Sequence, residues 1–227
     1  MCFSVKIERD LRKLSAYFNA LPVAKAFQDL QEGAKQFPKV FKIPGEDNII
    51  YPNTFAPVLV YEKGQKLIRP MRYRLRPSGS REEVPSKYNL FNARVDSLFK
   101  KKTWKPLVGV KHCLFPFKEF YEWVPGGENG KKRLVTFSPR DRELMWAPGL
   151  FDFWSSSDGS VSFESFALIT VDPPSEILEQ GHDRSPLFLG EDFVDEWLKL
   201  PEETGKRGVL EVLAQRQMVT YEYSYDR

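Results

Sequence analysis

The feature that most constrains this chain is a series of apolar runs separated by turn-forming segments in its central part. Four longer runs read as extended strands, at residues 109–123, 133–137, 144–154 and 162–171. They are separated by Pro-Gly-Gly, Ser-Pro and Ser-Ser-Ser-Asp-Gly, which favour tight connections between strands. Three shorter extended runs come earlier, at residues 40–43, 58–61 and 67–75. We therefore expect a mainly antiparallel sheet to form the bulk of the fold.

Helical patterns flank this region on both sides. Apolar residues at a near-helical period over 8–31 predict two short helices, because Pro22 interrupts the run. Four further helices are predicted at 92–101, 173–180, 191–200 and 202–215, followed by a closing strand at 218–223. Gly181 stands just past the helix predicted at 173–180, where a glycine suits a helix end. The pattern predicts an α+β fold in a single domain spanning residues 1–227.

Composition narrows the class of protein. The 227 residues are 41% hydrophobic, enough for one substantial core, and no apolar run is long enough to cross a bilayer. We expect a soluble, cytoplasmic protein. Two cysteines supply neither a disulfide framework nor a zinc quartet. Nothing in the sequence implies a metal or an organic cofactor. The net charge of +3 is too weak to argue for nucleic acid by itself.

Cys2 offers unusual chemistry. Removal of Met1 would leave an α-amine and a thiol on adjacent carbons. An aldehyde attacked by the amine gives an imine, and the neighbouring thiolate can then close a five-membered thiazolidine ring. The reference pKa of an α-amine, about 7.7–8.0, leaves a neutral fraction at physiological pH. From Met1-Cys2 alone, a cysteine without function at this position is the commoner explanation.

Three further motifs follow Met1-Cys2 in order. They are Phe-Asn-Ala-Arg at 91–94, Phe-Tyr-Glu-Trp at 120–123 and Gly-His-Asp-Arg-Ser-Pro-Leu at 181–187. The ordered set resembles the signature of the SRAP family (SOS response-associated peptidase), whose members cross-link abasic DNA. The resemblance runs from Cys2 to about Trp197. It implies curved antiparallel sheets with flanking short helices, and a groove that binds single-stranded DNA containing abasic sites.

The resemblance also implies a catalytic set of Cys2, Asn92, Glu122 and His182. Asn92 would hold the thiol or the opened sugar, Glu122 would shuttle protons, and His182 would protonate the sugar ring oxygen. Each residue also has an ordinary alternative. Asn92 could cap the predicted helix, Glu122 could be an exposed strand carboxylate, and His182 could be a solvated loop histidine. Lyase and autopeptidase activities are further expectations from the family.

Arginines are the candidate DNA contacts. Arg94 would grip a phosphate near the lesion, and Arg184 would anchor its loop or make a second phosphate contact. On an extended segment Arg72, Arg74 and Arg76 share one face, which suits either a single-strand channel or a charged edge strand.

This segment also departs from the family. Members typically show Trp-Gly-Leu-x-Pro-x-Trp, whereas residues 73–79 read Tyr-Arg-Leu-Arg-Pro-Ser-Gly, with Tyr73 in place of the first Trp. Base stacking there is therefore altered, and the arginine charge is expected to compensate.

Two other function classes remain open. One is a module that binds single-stranded DNA without covalent chemistry, and the other is a thiol peptidase. His112 and Cys113 do not suit a nucleophile pair, because neighbours on a strand point to opposite faces. We expect a DNA-associated monomer.

Overall fold

The computed structural model describes residues 3–127 and 130–225. Their strands are β1 (Ser4–Lys6), β2 (Leu21–Pro22), β3 (Ile49–Ile50), β4 (Phe55–Glu62), β5 (Gln65–Tyr73), β6 (Asn92–Arg94), β7 (His112–Phe117), β8 (Glu119–Val124), β9 (Arg133–Pro139), β10 (Met145–Ser155), β11 (Ser162–Val171), β12 (Ser185–Pro186) and β13 (Tyr221–Tyr225). Their α-helices are α1 (Leu11–Phe18), α2 (Ala24–Gln36), α3 (Ser175–Leu178), α4 (Val194–Leu198) and α5 (Gly205–Ala214). Mixed α+β architecture is thus confirmed.

The strands form two sheets. The smaller has the order β13-β9-β8-β1-β3 and is antiparallel throughout. The larger has the order β12-β11-β10-β7-β4-β5-β2, with β6 pairing to β11. Strand β5 also pairs in parallel with β11, where Arg72 lies opposite Ser165 and Tyr73 opposite Phe166. This extra pairing closes the ring β11-β10-β7-β4-β5, so the large sheet curls onto itself.

Aromatic side chains fill the closed ring. The rings of Phe115 and Phe166 lie 4.9 Å apart, and the ring of Tyr73 lies 5.4 Å from that of Phe166. All three residues are fully buried. Gly149 allows β10 to approach β11 closely, since a Cβ atom there would lie 2.7 Å from the carbonyl oxygen of Ala167. The ring is therefore a packed core of side chains rather than an open channel.

Much of the predicted order of elements is confirmed. Two helices occupy the amino-terminal region, and Asp10 caps the first by accepting hydrogen bonds from the backbone N–H groups of Arg12 and Lys13. The 162–171 strand has the predicted bounds. The helices predicted at 173–180, 191–200 and 202–215 are present but shorter, with 3-10 turns preceding α4 and α5. That the whole chain is one domain stays a prediction.

Three predictions of secondary structure were wrong. Residues 40–43 form turns with only one bridge, from Lys42 to Thr54. Residues 92–101 begin as strand β6 because the backbone of β11 pairs with them, which overrides local helix propensity. The 109–123 run is two strands: β7 pairs with β10 in the large sheet and β8 with β1 and β9 in the small one.

No helix among residues 3–127 and 130–225 combines the length and the apolar character needed to cross a membrane.

Candidate functional site: a buried carboxylate and imidazole

Glu122 faces the protein interior from the middle of β8. Its neighbours at the two-residue period, Phe120 and Val124, are fully buried, and Glu122 itself is only 3% exposed. Trp123, on the other face of the strand, is 51% exposed. The alternative that Glu122 is an exposed strand carboxylate is therefore wrong. A carboxyl group at such a position needs a specific partner.

His182 supplies that partner. Its Nε2 lies 2.9 Å from Oε2 of Glu122, and its side chain is 11% exposed. The loop that carries it turns at Gly181, whose φ of +86° favours glycine and where an added Cβ would lie 3.1 Å from Cδ of Pro125. The alternative of a solvated loop histidine is wrong, because the imidazole is packed against the β8 strand.

The hydrogen bonds of His182 indicate which of its ring nitrogens carries a proton. Nδ1 lies 2.8 Å from the carbonyl oxygen of Arg184, and a carbonyl can only accept, so Nδ1 carries a proton and donates it. A hydrogen bond between Nε2 of His182 and Oε2 of Glu122 then requires a proton on one of these two atoms. The pair is either an imidazole with a carboxylic acid or an imidazolium with a carboxylate. In both forms it holds one proton that can be passed to a substrate or taken from it.

Asn92 lies on the large sheet. It is 8% exposed and begins β6, opposite Leu168 of β11. The helix-cap alternative is wrong, because Asn92 starts a strand.

Phe3 connects the three elements of the site. Its ring lies 6.0 Å from that of Phe91, the residue before Asn92. One residue further along, Ser4 pairs with Tyr121 on the strand that carries Glu122. The fold thus gathers the start of β1, β6 and β8 at one place. Cys2 lies outside the described residues.

Arg94 and Arg184 border the carboxyl end of β11. Arg94 lies opposite Thr170 on one side of β11, and Ser185, next to Arg184, lies opposite Val171 on the other side. Arg94 is 44% exposed and forms a bidentate ion pair with Asp96, at 3.1 Å from Nε to Oδ1 and 2.6 Å from Nη2 to Oδ2. Arg184 pairs with Asp172. Their contact with DNA stays a prediction.

The arginine row differs from both sequence-based interpretations. Strand β5 pairs with β4 on one side and with β2 and β11 on the other, so it is not an edge strand. Arg72 and Arg74 are 4% and 6% exposed, and Tyr73 is fully buried in the aromatic core. The row does share one side, because all three arginines, including Arg76, reach Glu83. It does not form an open channel in this structure, and its DNA contact stays a prediction.

His112 and Cys113 have structural surroundings. His112 stacks on Trp197 with ring centroids 3.9 Å apart, its Nδ1 donates to the carbonyl oxygen of Trp197, and its Nε2 accepts from the N–H of Gly109. Burial lowers the pKa of His112 to about 4, against the raising effect of that backbone hydrogen bond. Cys113 is fully buried, and burial raises the pKa of its thiol. Neither residue suits nucleophilic catalysis.

Sequence reasoning missed three residues of this region. Asp96 pairs with Arg94, and their opposite charges two positions apart were a signal for it. Glu83 lies in a polar loop with nothing in the sequence to mark it as the counterion of three arginines. Phe3 was not singled out as a residue of the site. Within the described parts of the chain, no cluster of three His, Cys, Asp or Glu side chains could hold a metal ion.

A curled sheet with short flanking helices, carrying a buried carboxylate–imidazole pair where β1, β6 and β8 meet, defines an α+β protein equipped for acid–base chemistry. The sequence profile of the SOS response associated peptidase (SRAP) family matches residues 1–225. The chain belongs to the SRAP family.

Relatives with curated names share this similarity. The chain is 28% identical over 180 residues to the chicken (Gallus gallus) abasic site processing protein HMCES, covering 66% of this chain and 53% of that one. It is 30% identical over 128 residues to the Bacillus subtilis abasic site processing protein YobE, covering 56% and 57%. The matched region thus spans little more than half the length of these relatives.

Solved structures agree on the fold. A protein from Bacteroides thetaiotaomicron superposes with a TM-score of 0.75 at 18% identity, covering all of this chain and 92% of that one. A protein from Bordetella bronchiseptica gives a TM-score of 0.69 at 18% identity and covers both chains fully. These likenesses support the fold alone.

Proposed function

We propose that this protein captures abasic sites in single-stranded DNA through a covalent thiazolidine bond at Cys2, once Met1 has been removed. The observation that carries the proposal is the buried contact between Oε2 of Glu122 and Nε2 of His182, at 2.9 Å, in a member of a family whose relatives are named abasic site processing proteins. Chain connectivity supports it, because Ser4, at the start of β1, is two residues after Cys2 in the sequence. Ser4 in turn pairs with Tyr121, next to Glu122.

The chemistry proceeds in two bond-forming steps. The neutral α-amine of Cys2 adds to the aldehyde carbon of the opened sugar, and the carbinolamine loses one water to give an imine. The thiolate of Cys2 then adds to the imine carbon, and the nitrogen takes up a proton as the ring closes. Both nucleophiles belong to one residue, so the second step is intramolecular.

The buried pair supplies proton transfer for opening the closed sugar and for dehydrating the carbinolamine. His182 donates to the ring oxygen as the closed sugar opens, while Glu122 moves the proton that leaves with water during dehydration. Their direct contact couples the two tasks, since one group regains from the other the proton it has passed on. Asn92, buried at the start of β6, offers an amide donor and acceptor to hold the opened sugar.

DNA binding is assigned to arginines at the rim of the site. Arg94 is the most accessible of these, and its bidentate ion pair with Asp96 presents the guanidinium in a fixed orientation that a phosphate can share or take over. Arg184 is held in place beside it by Asp172. Contacts of this kind fix the register of a strand without reading its sequence.

Lyase and autopeptidase activities fit the same residues. An imine at the sugar carbon makes the adjacent proton more acidic, which permits elimination of the 3′ phosphate unless the thiol closes the ring first. Peptide cleavage limited to the bond before Cys2 would expose the same amine. Cys113 does not serve a general thiol peptidase, because its thiol is fully buried with a raised pKa.

Intact-protein mass spectrometry after incubation with an abasic single strand tests the proposal. We expect an adduct of protein plus oligonucleotide minus one water that survives without borohydride, and none with an intact strand. Cys113→Ala is the matched control, since it removes the other thiol and should leave the adduct unchanged. An adduct that persists without reduction in Cys2→Ala would refute the thiazolidine bond, and binding without any adduct would favour the non-covalent module.

A further inference from the structure

Three guanidinium groups converge on one carboxylate beside strand β5. Glu83 accepts hydrogen bonds from Arg72 at 2.9 and 3.0 Å and lies 3.5 Å from Nη1 of Arg74 and 3.3 Å from Nη1 of Arg76. We call these four residues the Glu83 cluster. Formal charges give it a net charge of +2, because three cations share one anion.

The positive charge lies in a poorly hydrated place. The side chains of Arg72, Arg74 and Arg76 are 4%, 7% and 12% exposed, whereas that of Glu83 is 38% exposed. Burial lowers the pKa of Arg74 and of Arg76. Although burial acts in the opposite direction, the hydrogen bonds and charge of Arg72 lower the pKa of Glu83. The Glu83 carboxylate thus lies on the solvent side of the three buried arginine side chains.

Aromatic rings and backbone carbonyls hold the arginines independently of Glu83. The guanidinium of Arg72 lies 4.4 Å over the ring of Phe163, and that of Arg76 lies 3.4 Å over the ring of Trp154. Arg74 donates to the carbonyl oxygen of Val84. The three guanidinium groups are therefore preorganised, and they can keep their positions when another anion replaces the Glu83 carboxylate.

Other charged neighbours are already paired. Arg69 pairs with Glu62 and Glu164, and Lys111 pairs with Asp152 at 2.5 Å. Nε of Arg72 is a buried N–H donor that has no acceptor among the described residues. The Glu83 cluster thus has more donor capacity and more positive charge than its single carboxylate satisfies.

We propose that the Glu83 cluster is a binding site for a backbone phosphodiester of single-stranded DNA, and that the Glu83 carboxylate occupies it when no DNA is bound. A phosphodiester carries one negative charge and two free oxygens, so it matches the bidentate geometry that guanidinium groups offer a carboxylate. The inference rests on the proposed function for its ligand, since it assumes that single-stranded DNA is the substrate.

The position of the cluster suits a second contact on the same strand. Leu75 follows Arg74 and donates its N–H to the carbonyl oxygen of Leu90, two residues before Asn92. The chain from Arg76 to Asn89 therefore connects the cluster directly to the segment that carries Asn92. A phosphate bound here would add to the contacts at Arg94 rather than replace them.

The test compares Glu83→Gln with Glu82→Gln on an intact single-stranded oligonucleotide. Both variants remove one negative charge from the same loop, but only the first neutralises the carboxylate that the three arginines share. We expect Glu83→Gln to bind about tenfold more tightly than Glu82→Gln, as for one added hydrogen bond to a charged group. Its log–log salt slope should steepen by about 0.7, the value for one more phosphate on a single strand. Equal DNA affinities and equal salt slopes for the two variants would refute the proposed phosphodiester site.

Two further measurements keep the result interpretable if Glu83→Gln is less stable. Arg76→Gln combined with Glu83→Gln should lose the gain in affinity while keeping the same fold by circular dichroism. Inorganic phosphate, compared with chloride at equal ionic strength, should raise the melting temperature of Glu83→Gln more than that of Glu82→Gln. Thermal stabilisation by phosphate without tighter DNA binding would assign the site to free phosphate and refute the DNA contact.

The outcome can be separated from that of the proposed function. Normal capture of abasic strands together with equal DNA affinities of Glu83→Gln and Glu82→Gln would refute the phosphodiester site and leave the proposed function standing. Tighter binding of the intact strand without any covalent adduct would keep the cluster and refute capture at Cys2.

Discussion

Protonation of His112 is expected to destabilise the fold at mildly acidic pH. In the native protein Nε2 of His112 accepts from the N–H of Gly109 at 2.8 Å, so a proton there would face another donor. Burial lowers the pKa of this histidine to about 4, while an unfolded histidine titrates near 6.5. Between these values the unfolded chain binds a proton that the native protein does not. Stability contributed by neutral His112 is therefore lost as pH falls through this window.

The size of the effect follows from the two pKa values. At about 1.36 kcal/mol per pH unit, the full gap corresponds to roughly 3 kcal/mol, of which about 2 kcal/mol is lost between pH 7 and pH 5. Urea unfolding at these two pH values measures the loss directly. Few carboxylates change protonation in this range, because their usual pKa values lie near 4. The window therefore reports mainly on His112.

Glutamine variants of the two histidines test whether the stability lost between pH 7 and pH 5 comes from His112. His112→Gln should be less stable at pH 7, because the stacking on Trp197 is weakened, but it should lose little further stability at pH 5. His182→Gln retains His112 and should keep the steep fall. His112→Gln should also capture abasic strands at the normal rate at pH 7, since His112 does not touch the site. A loss at pH 5 as large in His112→Gln as in the unmodified protein would refute the argument.

Three other predictions concern the site. Cys2→Ala should abolish the stable adduct while leaving the fold intact, which mass spectrometry and circular dichroism can check together. Glu122→Gln should slow capture of both closed-sugar DNA and a pre-opened aldehyde analogue, by on the order of 10²-fold. His182→Ala should slow capture of the closed sugar by a similar factor and affect the aldehyde analogue little. Equal losses on both substrates in both variants would show that the two residues act as one structural unit and would refute their separate roles. Arg94→Ala should lower the log–log salt slope of single-strand binding by about 0.7, whereas the control Asp96→Asn should not lower it. An unchanged slope in Arg94→Ala would show that Arg94 has a structural role and does not contact a phosphate.

Local sequence determined much of the fold and the identity of the candidate site residues. Alternating apolar residues and Pro- or Gly-containing turns marked the strands at 144–154 and 162–171 within a residue of their observed bounds. Gly181, read as a helix end, has the positive φ that such a position requires. Through their resemblance to the family signature, the motifs around Asn92, Glu122 and His182 implied one site, and the fold brings Glu122 and His182 into contact. Patterns of this kind are local, so the sequence carries them directly.

Tertiary structure decided what depends on partners distant in the chain. Residues 92–94 became a strand because β11 offers backbone partners, and the apolar run at 109–123 divided because its two halves pair in different sheets. The arginine row became a buried cluster because the loop after β5 folds back and places Glu83 against it. Pairing and charge compensation between separate segments leave no periodic signal in either segment, so only the assembled fold reveals them.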